Sequence, residues 1–311
     1  MTWSVENIED LSNKVVIVTG ANSGLGYESV KIFAMHGAKL VMACRSQERG
    51  RKALKSIVEE LRQVNIDIEA NIELMELDLG DLESVKLFAE KFKAKYKRLD
   101  ILMNNAGIMA TPYHLTKDGF ESQFGTNHLG HFALTSYLFD LIKKTKNARI
   151  VNISSLAHKS GSMDFYNLQF DEGKGYTPFR AYSRSKLANL LFSYEMQRRI
   201  NASVYDVKVL AAHPGGSNTD LYRYTGSSKW TDKLQGLTNI FLQNPYNGSL
   251  AGIRAATDPH ALGGEYYGPS GFMEIKGKPV VVSSSQLSHS KIKAKRLWSM
   301  SEKLIGTSFD I

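Results

Sequence analysis

The chain has 311 residues, 42% hydrophobic and 23% charged, with a formal net charge of +8. That length can bury one large core, and the balance is ordinary for a soluble globular protein, which excludes disordered and fibrous classes. A single cysteine, Cys44, excludes an internal disulfide framework and points to a reducing compartment, so a cytoplasmic location is expected.

The first residues, MTWSVENIEDLSNK, lack a basic-then-apolar leader pattern, and no apolar run is long enough to span a membrane. A soluble chain without a membrane anchor is therefore expected. Lys14–Thr19 is a β-branched run that reads as the first strand. GANSGLG, Gly20 to Gly26, follows it directly and opens a helix. In that context Gly20 can make the tight turn, Gly24 lets the backbone approach a pyrophosphate, and Gly26 lets the helix pack close to the strand. Asn22, Ser23 and Leu25 complete a turn whose free N–H groups face the anion. Lys39–Ala43 is the second strand, ending in Cys44-Arg45-Ser46. A free ribose 2′-hydroxyl is usually held there by an acid; Arg45 instead suits a 2′-phosphate, favouring NADP(H) over NAD(H).

Ala53, Leu54, Ile57, Val58 and Leu61 then repeat at helical spacing, and Ile72–Leu77 reads as a third strand. Gly80-Asp81 caps the next helix, which carries Val85, Phe88, Phe92 and Tyr96 on one side. Further strands are expected at Ile101–Asn104, Arg149–Ile153, Val207–Ala211 and Pro279–Val282. This alternation predicts a single α/β Rossmann-fold domain over residues 1–311, doubly wound around a mostly parallel sheet of about seven strands. Its nucleotide-binding half is 13–110 and its catalytic half 111–283, with a polar, aromatic lid-like segment at 218–247 and a C-terminal tail at 284–311.

TGANSGLG, LDLGDLESV, DILMNNAGI, IVNISS and YSRSK occur in the order and spacing of the short-chain dehydrogenase/reductase family, which the chain resembles from about Asn13 to Val282. The resemblance implies adenine contacts at Asp78 and Leu79. It places Asn105, Ala106 and Gly107 beside the ribose and nicotinamide. HPGGSNTDL resembles the family's P-G-x-x-x-T segment, which implies cofactor contacts at Pro214 and Gly215 and puts Thr219 on the carboxamide. Gly216-Ser217 stands where similar members often carry an apolar pair.

Tyr182 and Lys186 sit four apart on a helix starting near Pro178, so phenol and ammonium lie one turn apart on one side. A nearby cation favours the phenolate, which suits proton transfer. Tyr27/Lys31 and Tyr113/Lys117 share the spacing, but the first reads as helix packing and the second lies in a loop. Only Tyr182 follows a strand ending in paired serines, Ser154 and Ser155, whose hydroxyls can donate to a carbonyl oxygen. The resemblance assigns that role to Ser155, and assigns Asn127 to a water leading to the lysine. The implied reaction is hydride transfer between a nicotinamide and a carbonyl or alcohol carbon, with Tyr182 as acid/base, Lys186 holding the ribose, and both touching cofactor.

HKSGSMDFYNLQFDEGKGYTPFRA, before Tyr182, and RLWSMSEKLIG near the C-terminus resemble the retinol-dehydrogenase-like branch. The aromatics Phe165, Tyr166, Phe170, Tyr176, Tyr222, Tyr224 and Trp230 either line a pocket for an apolar substrate or pack the inserted segment. By resemblance, a homo-oligomer would pair through the helices carrying Asn127 and Tyr182. His128-x-x-His131 lacks further ligands, so no metal is expected, and His213 reads as structural. The basic clusters lack aromatic interleaving and read as solvated faces, not as a nucleic-acid surface. A nucleotide-binding scaffold without catalysis and a reductase of C=C bonds are the competing functions.

Overall fold

The structure is a computed structural model that describes residues 3–66, 71–216 and 243–311. Continuous apolar runs become strands buried on both faces: β1 Val15–Thr19, β2 Lys39–Cys44, β4 Ile101–Asn104 and β5 Ala148–Ile153 expose no side chain except Lys39. β3 Ile72–Glu76, β6 Val207–Ala212, β7 Tyr266–Pro269 and β8 Pro279–Val281 complete one sheet in the order β3-β2-β1-β4-β5-β6-β7-β8. Every pairing is parallel except β7 with β8. The sequence reading of about seven strands is corrected to eight. β7 was missed because Tyr-Tyr-Gly-Pro is four residues long and reads as a turn; its pairing with β6 and β8 makes it a strand.

The helices that fix the site start at side-chain caps. Ser46 accepts from the Arg49 N–H to open α2 (Gln47–Arg62), and Asp81 accepts from Glu83 and Ser84 to open α3 (Leu82–Lys95), as its position predicts. α1 (Gly24–Met35), α2 and α7 (Pro245–Thr257) cover one face of the sheet. α3, α5 (Gly130–Ile142), α6 (Pro178–Asn201) and α8 (Lys291–Ile305) cover the other. α4 (Ser122–Phe124) runs into a π-helical turn at Gly125–Leu129 before α5 begins. The strand order reverses between β1 and β4, so a crevice opens beyond their carboxyl ends.

α6 departs from the amphipathic helix that its sequence suggests: every residue from Ala181 to Gln197 is buried. The segment after β5 covers one side, and α8 and the tail cover another through Trp298 and Phe309. The Trp298 ring meets Phe132, Phe192 and Phe309 with centroids 4.9–5.8 Å apart, and Arg199 lies 4.1 Å over it. Among the described residues no helix is long and apolar enough to cross a membrane. Trp298→Ala should lower the unfolding free energy by about 3–5 kcal/mol, measured by urea denaturation.

Candidate active site

The crevice at the β1/β4 reversal brings together the nucleotide-half residues expected from sequence. Gly20, Asn22, Ser23, Gly24 and Leu25 line it from the β1–α1 turn, and Arg45 from the end of β2. Asp78 and Leu79 reach it from beyond β3, and Asn105, Ala106 and Gly107 from beyond β4. Gly20 and Gly24 hold φ of +65° and +56°, a region that favours glycine. Gly26 is not on the lining but works beneath it: a Cβ there would stand 2.4 Å from the Gly20 carbonyl oxygen and 2.7 Å from Asn105 Nδ2. The fit to a pyrophosphate therefore rests on backbone geometry that only these glycines permit.

Arg49, missed from sequence, joins Arg45 on the same lining. Four residues past Arg45, at the first turn of α2, it reaches the same rim. Among the described residues Asp78 is the only acidic one on the lining, and its Oδ1 accepts the Gly80 N–H at 2.9 Å.

Asn127 lies in the π-helical turn, wholly buried. Its Oδ1 accepts the Ile108 N–H at 2.8 Å, and its Nδ2 donates to Ile108 O and Ser185 Oγ, each at 2.9 Å. The side-chain amide thus clamps the loop after β4. The two serines part company at the end of β5. Ser154 is buried and donates to the Lys186 carbonyl at 2.9 Å, whereas half-buried Ser155 accepts from the Ala157 N–H at 3.2 Å and keeps its own proton to donate.

Tyr182 and Lys186 are 5% and 3% exposed. Lys186 Nζ donates to the Ile153 carbonyl at 3.0 Å and lies 5.6 Å from the Tyr182 ring centroid. A Cβ on Gly107 would stand 3.4 Å from that ammonium and 3.2 Å from Asn127 Oδ1, so glycine lets the crevice wall pack closely against the two. Burial pushes the Lys186 pKa down to about 8. On the far side, Pro214 and Gly215 follow β6. Gly215 has φ +69°, its N–H donates to His213 Nδ1 at 3.2 Å, and Gln243 Nε2 donates to Pro214 O at 3.0 Å. Thr219, Tyr222, Tyr224, Trp230 and residues 218–242 of the proposed lid lie outside the described residues.

The competing Tyr/Lys pairs resolve as surface ties. Tyr27 and Lys31 both bind Glu60 of α2, and Lys117 pairs with Asp81. The inserted segment is packed by its own aromatics. Phe170 is fully buried under the Arg184 guanidinium, 3.9 Å from the ring centroid. Arg184 also donates to the carbonyls of Ser162, Asn167 and Leu168. The Tyr176 hydroxyl donates to Thr111 O, Phe165 lies against Arg296, and Tyr166 is 89% exposed. His128 is tied to Ser301, and no group of three potential metal ligands occurs among the described residues. Burial raises the Cys44 thiol to about 11, which keeps it protonated.

Asn127, Ser155, Tyr182 and Lys186 stand outside the described lining of the crevice, with Asn127 Oδ1 and Lys186 Nζ directly behind its Gly107 wall. The profile of the short chain dehydrogenase family matches residues 14–168. Human retinol dehydrogenase 11 is 38% identical over 300 residues, 96% of this chain and 88% of its own length. Chicken WW domain-containing oxidoreductase is 39% identical over 306 residues, covering 95% and 69% of the two chains. Among solved structures, an uncharacterised protein from Mycobacterium paratuberculosis is 36% identical and superposes over both full chains with a TM-score of 0.80. A short chain dehydrogenase from Shigella flexneri complexed with NADP shares the fold, with a TM-score of 0.62 at 20% identity over 84% of this chain and 98% of its own. The chain belongs to the short-chain dehydrogenase family and resembles its retinol-dehydrogenase-like branch.

The lowered Lys186 pKa means that the folded protein carries its buried cation at a cost below pH 8. That cost fades as pH rises from there towards 10.5, where the unfolded chain still binds the proton. Lys186→Met should therefore stabilise the ligand-free protein at pH 7 by about 1–3 kcal/mol, with the gain shrinking above pH 8. Asn189 Nδ2, 3.3 Å from Ile153 O, keeps that carbonyl paired. Thermal unfolding across pH 7 to 10 checks both trends.

Proposed function

We propose that this chain is an NADP(H)-dependent oxidoreductase that interconverts an alcohol and a carbonyl on an extended apolar substrate. The observation that carries the reading is the arrangement around Lys186: a buried ammonium beside the Tyr182 ring, separated from the crevice by Gly107 of its wall. When bound, the dinucleotide supplies or accepts the hydride. Tyr182 exchanges a proton with the substrate oxygen, and the neighbouring ammonium stabilises its phenolate. Ser155 Oγ, with its proton uncommitted, donates to the same oxygen and steadies the charge that develops there. Lys186 is left with hydrogen-bond donors beyond the Ile153 carbonyl, which suit a ribose hydroxyl. The Asn127 carbonyl keeps a lone pair for a water that passes protons towards Lys186.

Arg45 and Arg49 support a 2′-phosphate and hence NADP(H) over NAD(H). Relatives named for retinol support an apolar alcohol or aldehyde as substrate class. Buried, unpaired Cys44 suits a reducing compartment such as the cytoplasm.

The test is oxidation of NADPH and NADH across a graded series of aldehydes and ketones. NADPH should be preferred, and Arg45→Ala/Arg49→Ala should weaken NADPH binding about 10–100-fold while leaving NADH nearly unchanged. A wild-type preference for NADH would overturn the assignment of the arginines. Tyr182→Phe should bind NADPH normally and lose about 10²–10⁴-fold in kcat. Turnover retained in that variant would remove Tyr182 from the chemistry.

A further inference from the structure

His131 is a buried titratable group with no part in the chemistry above. It lies one turn beyond Asn127, at the start of α5, and its two ring nitrogens face different elements. Nδ1 is 3.1 Å from the Asn127 backbone oxygen, and Nε2 is 2.9 Å from Thr19 Oγ1 at the end of β1. A carbonyl only accepts, so Nδ1 carries the ring proton and Nε2 of the neutral ring is an acceptor.

Thr19 fixes the same answer from its own side. Its Oγ1 accepts the N–H groups of Asn105 and Ala106, each at 2.9 Å, which fills both lone pairs. Its proton therefore points outward, to His131 Nε2 at 2.9 Å and not to Met103 O at 3.4 Å. Every group is used once, and only a neutral ring with the proton on Nδ1 closes the set. A cationic ring would aim a second donor at an oxygen with no lone pair left. Burial lowers the pKa of this ring to about 4, and the positive charge of Lys186 adds to that effect.

We propose that His131 is a positioning residue for the nicotinamide side of the crevice. Through Thr19 it holds the Asn105–Ala106 backbone, and through the Asn127 carbonyl it holds the turn whose amide clamps Ile108. One ring thus anchors both ends of the loop at 105–108. The cofactor part of this role rests on the oxidoreductase reading; the ring state does not.

Two measurements test it. In ¹⁵N-histidine-labelled, ligand-free protein, the signal lost in His131→Gln should show the Nδ1–H tautomer and stay neutral down to pH 5. An Nε2–H tautomer, or titration near the ordinary imidazole pKa, overturns the network whatever the cofactor. NADPH titration by fluorescence should show about fivefold weaker binding for His131→Phe, one hydrogen bond's worth, and at least as large a loss for Thr19→Val, which also takes the acceptor from the Asn105 and Ala106 N–H groups. The double variant should be no weaker than the poorer single, because both remove the same link. His131→Gln, whose Oε1 can accept from Thr19, should bind within about twofold of wild type. Unchanged affinity in His131→Phe, losses that multiply, or Gln as poor as Phe would each refute the role. If His131→Phe does not fold, Thr19→Val and His131→Gln still decide. The expected ring state in a protein that binds no dinucleotide would refute the oxidoreductase reading and the positioning role together. The wrong tautomer in a protein that binds NADPH would refute the positioning role alone.

Discussion

The fold is built around a buried ammonium. Lys186 is 3% exposed, no carboxylate is paired with it among the described residues, and it donates to the Ile153 carbonyl. A cation held this way is tolerated only where the surroundings leave it no escape to water. α6 is accordingly buried all round, with β5 and β6 behind it, the segment after β5 on one flank, and α8 on another. The inserted segment and the C-terminal helix are thus as much a part of the active site as the crevice itself, because they keep the lysine dry.

The same economy governs the loops at the sheet reversal. Irregular backbone beside a ligand leaves N–H and C=O groups that must find partners. Here single side chains supply them from buried positions: Thr19 for Asn105 and Ala106, Asn127 for Ile108, His213 for Gly215, and Ser154 for the carbonyl of Lys186. Each is polar, mostly or wholly buried, and bonded to backbone, as is half-buried Ser155 through the Ala157 N–H. Side chains that look catalytic by type are in several cases scaffolding, and the paired serines show it at adjacent positions.

Much of this was legible in the amino-acid sequence, for physical reasons that also mark where legibility stops. Central strands such as Val15–Thr19 read clearly because burial on both faces demands an unbroken apolar run. Asp81 read as a cap because its carboxylate sits where a helix needs an acceptor. β7 did not, since four residues ending in Gly-Pro carry no periodic signal and become a strand only beside β6. The burial of α6 was also hidden: Arg184, Ser185, Asn189, Ser193, Glu195 and Gln197 suggest a wet face, but each is buried against a partner from elsewhere in the chain or its own helix. Arg49 was missed for the converse reason, as a lone surface cation carries no signal until the crevice places it beside Arg45.

Arg184 shows how the two levels meet. It stands between Tyr182 and Lys186, so the helix that sets the spacing of the proposed reacting pair must turn the guanidinium away from them. There it meets three carbonyls and the face of Phe170, whose backbone holds a left-handed φ of +55° to present its ring. The strain at Phe170 is sustained because a buried guanidinium without those acceptors would cost far more. Insert and α6 therefore depend on each other: the helix gives the insert a buried guanidinium that ties its carbonyls, and the insert gives the helix the cover under which Lys186 can stay dehydrated.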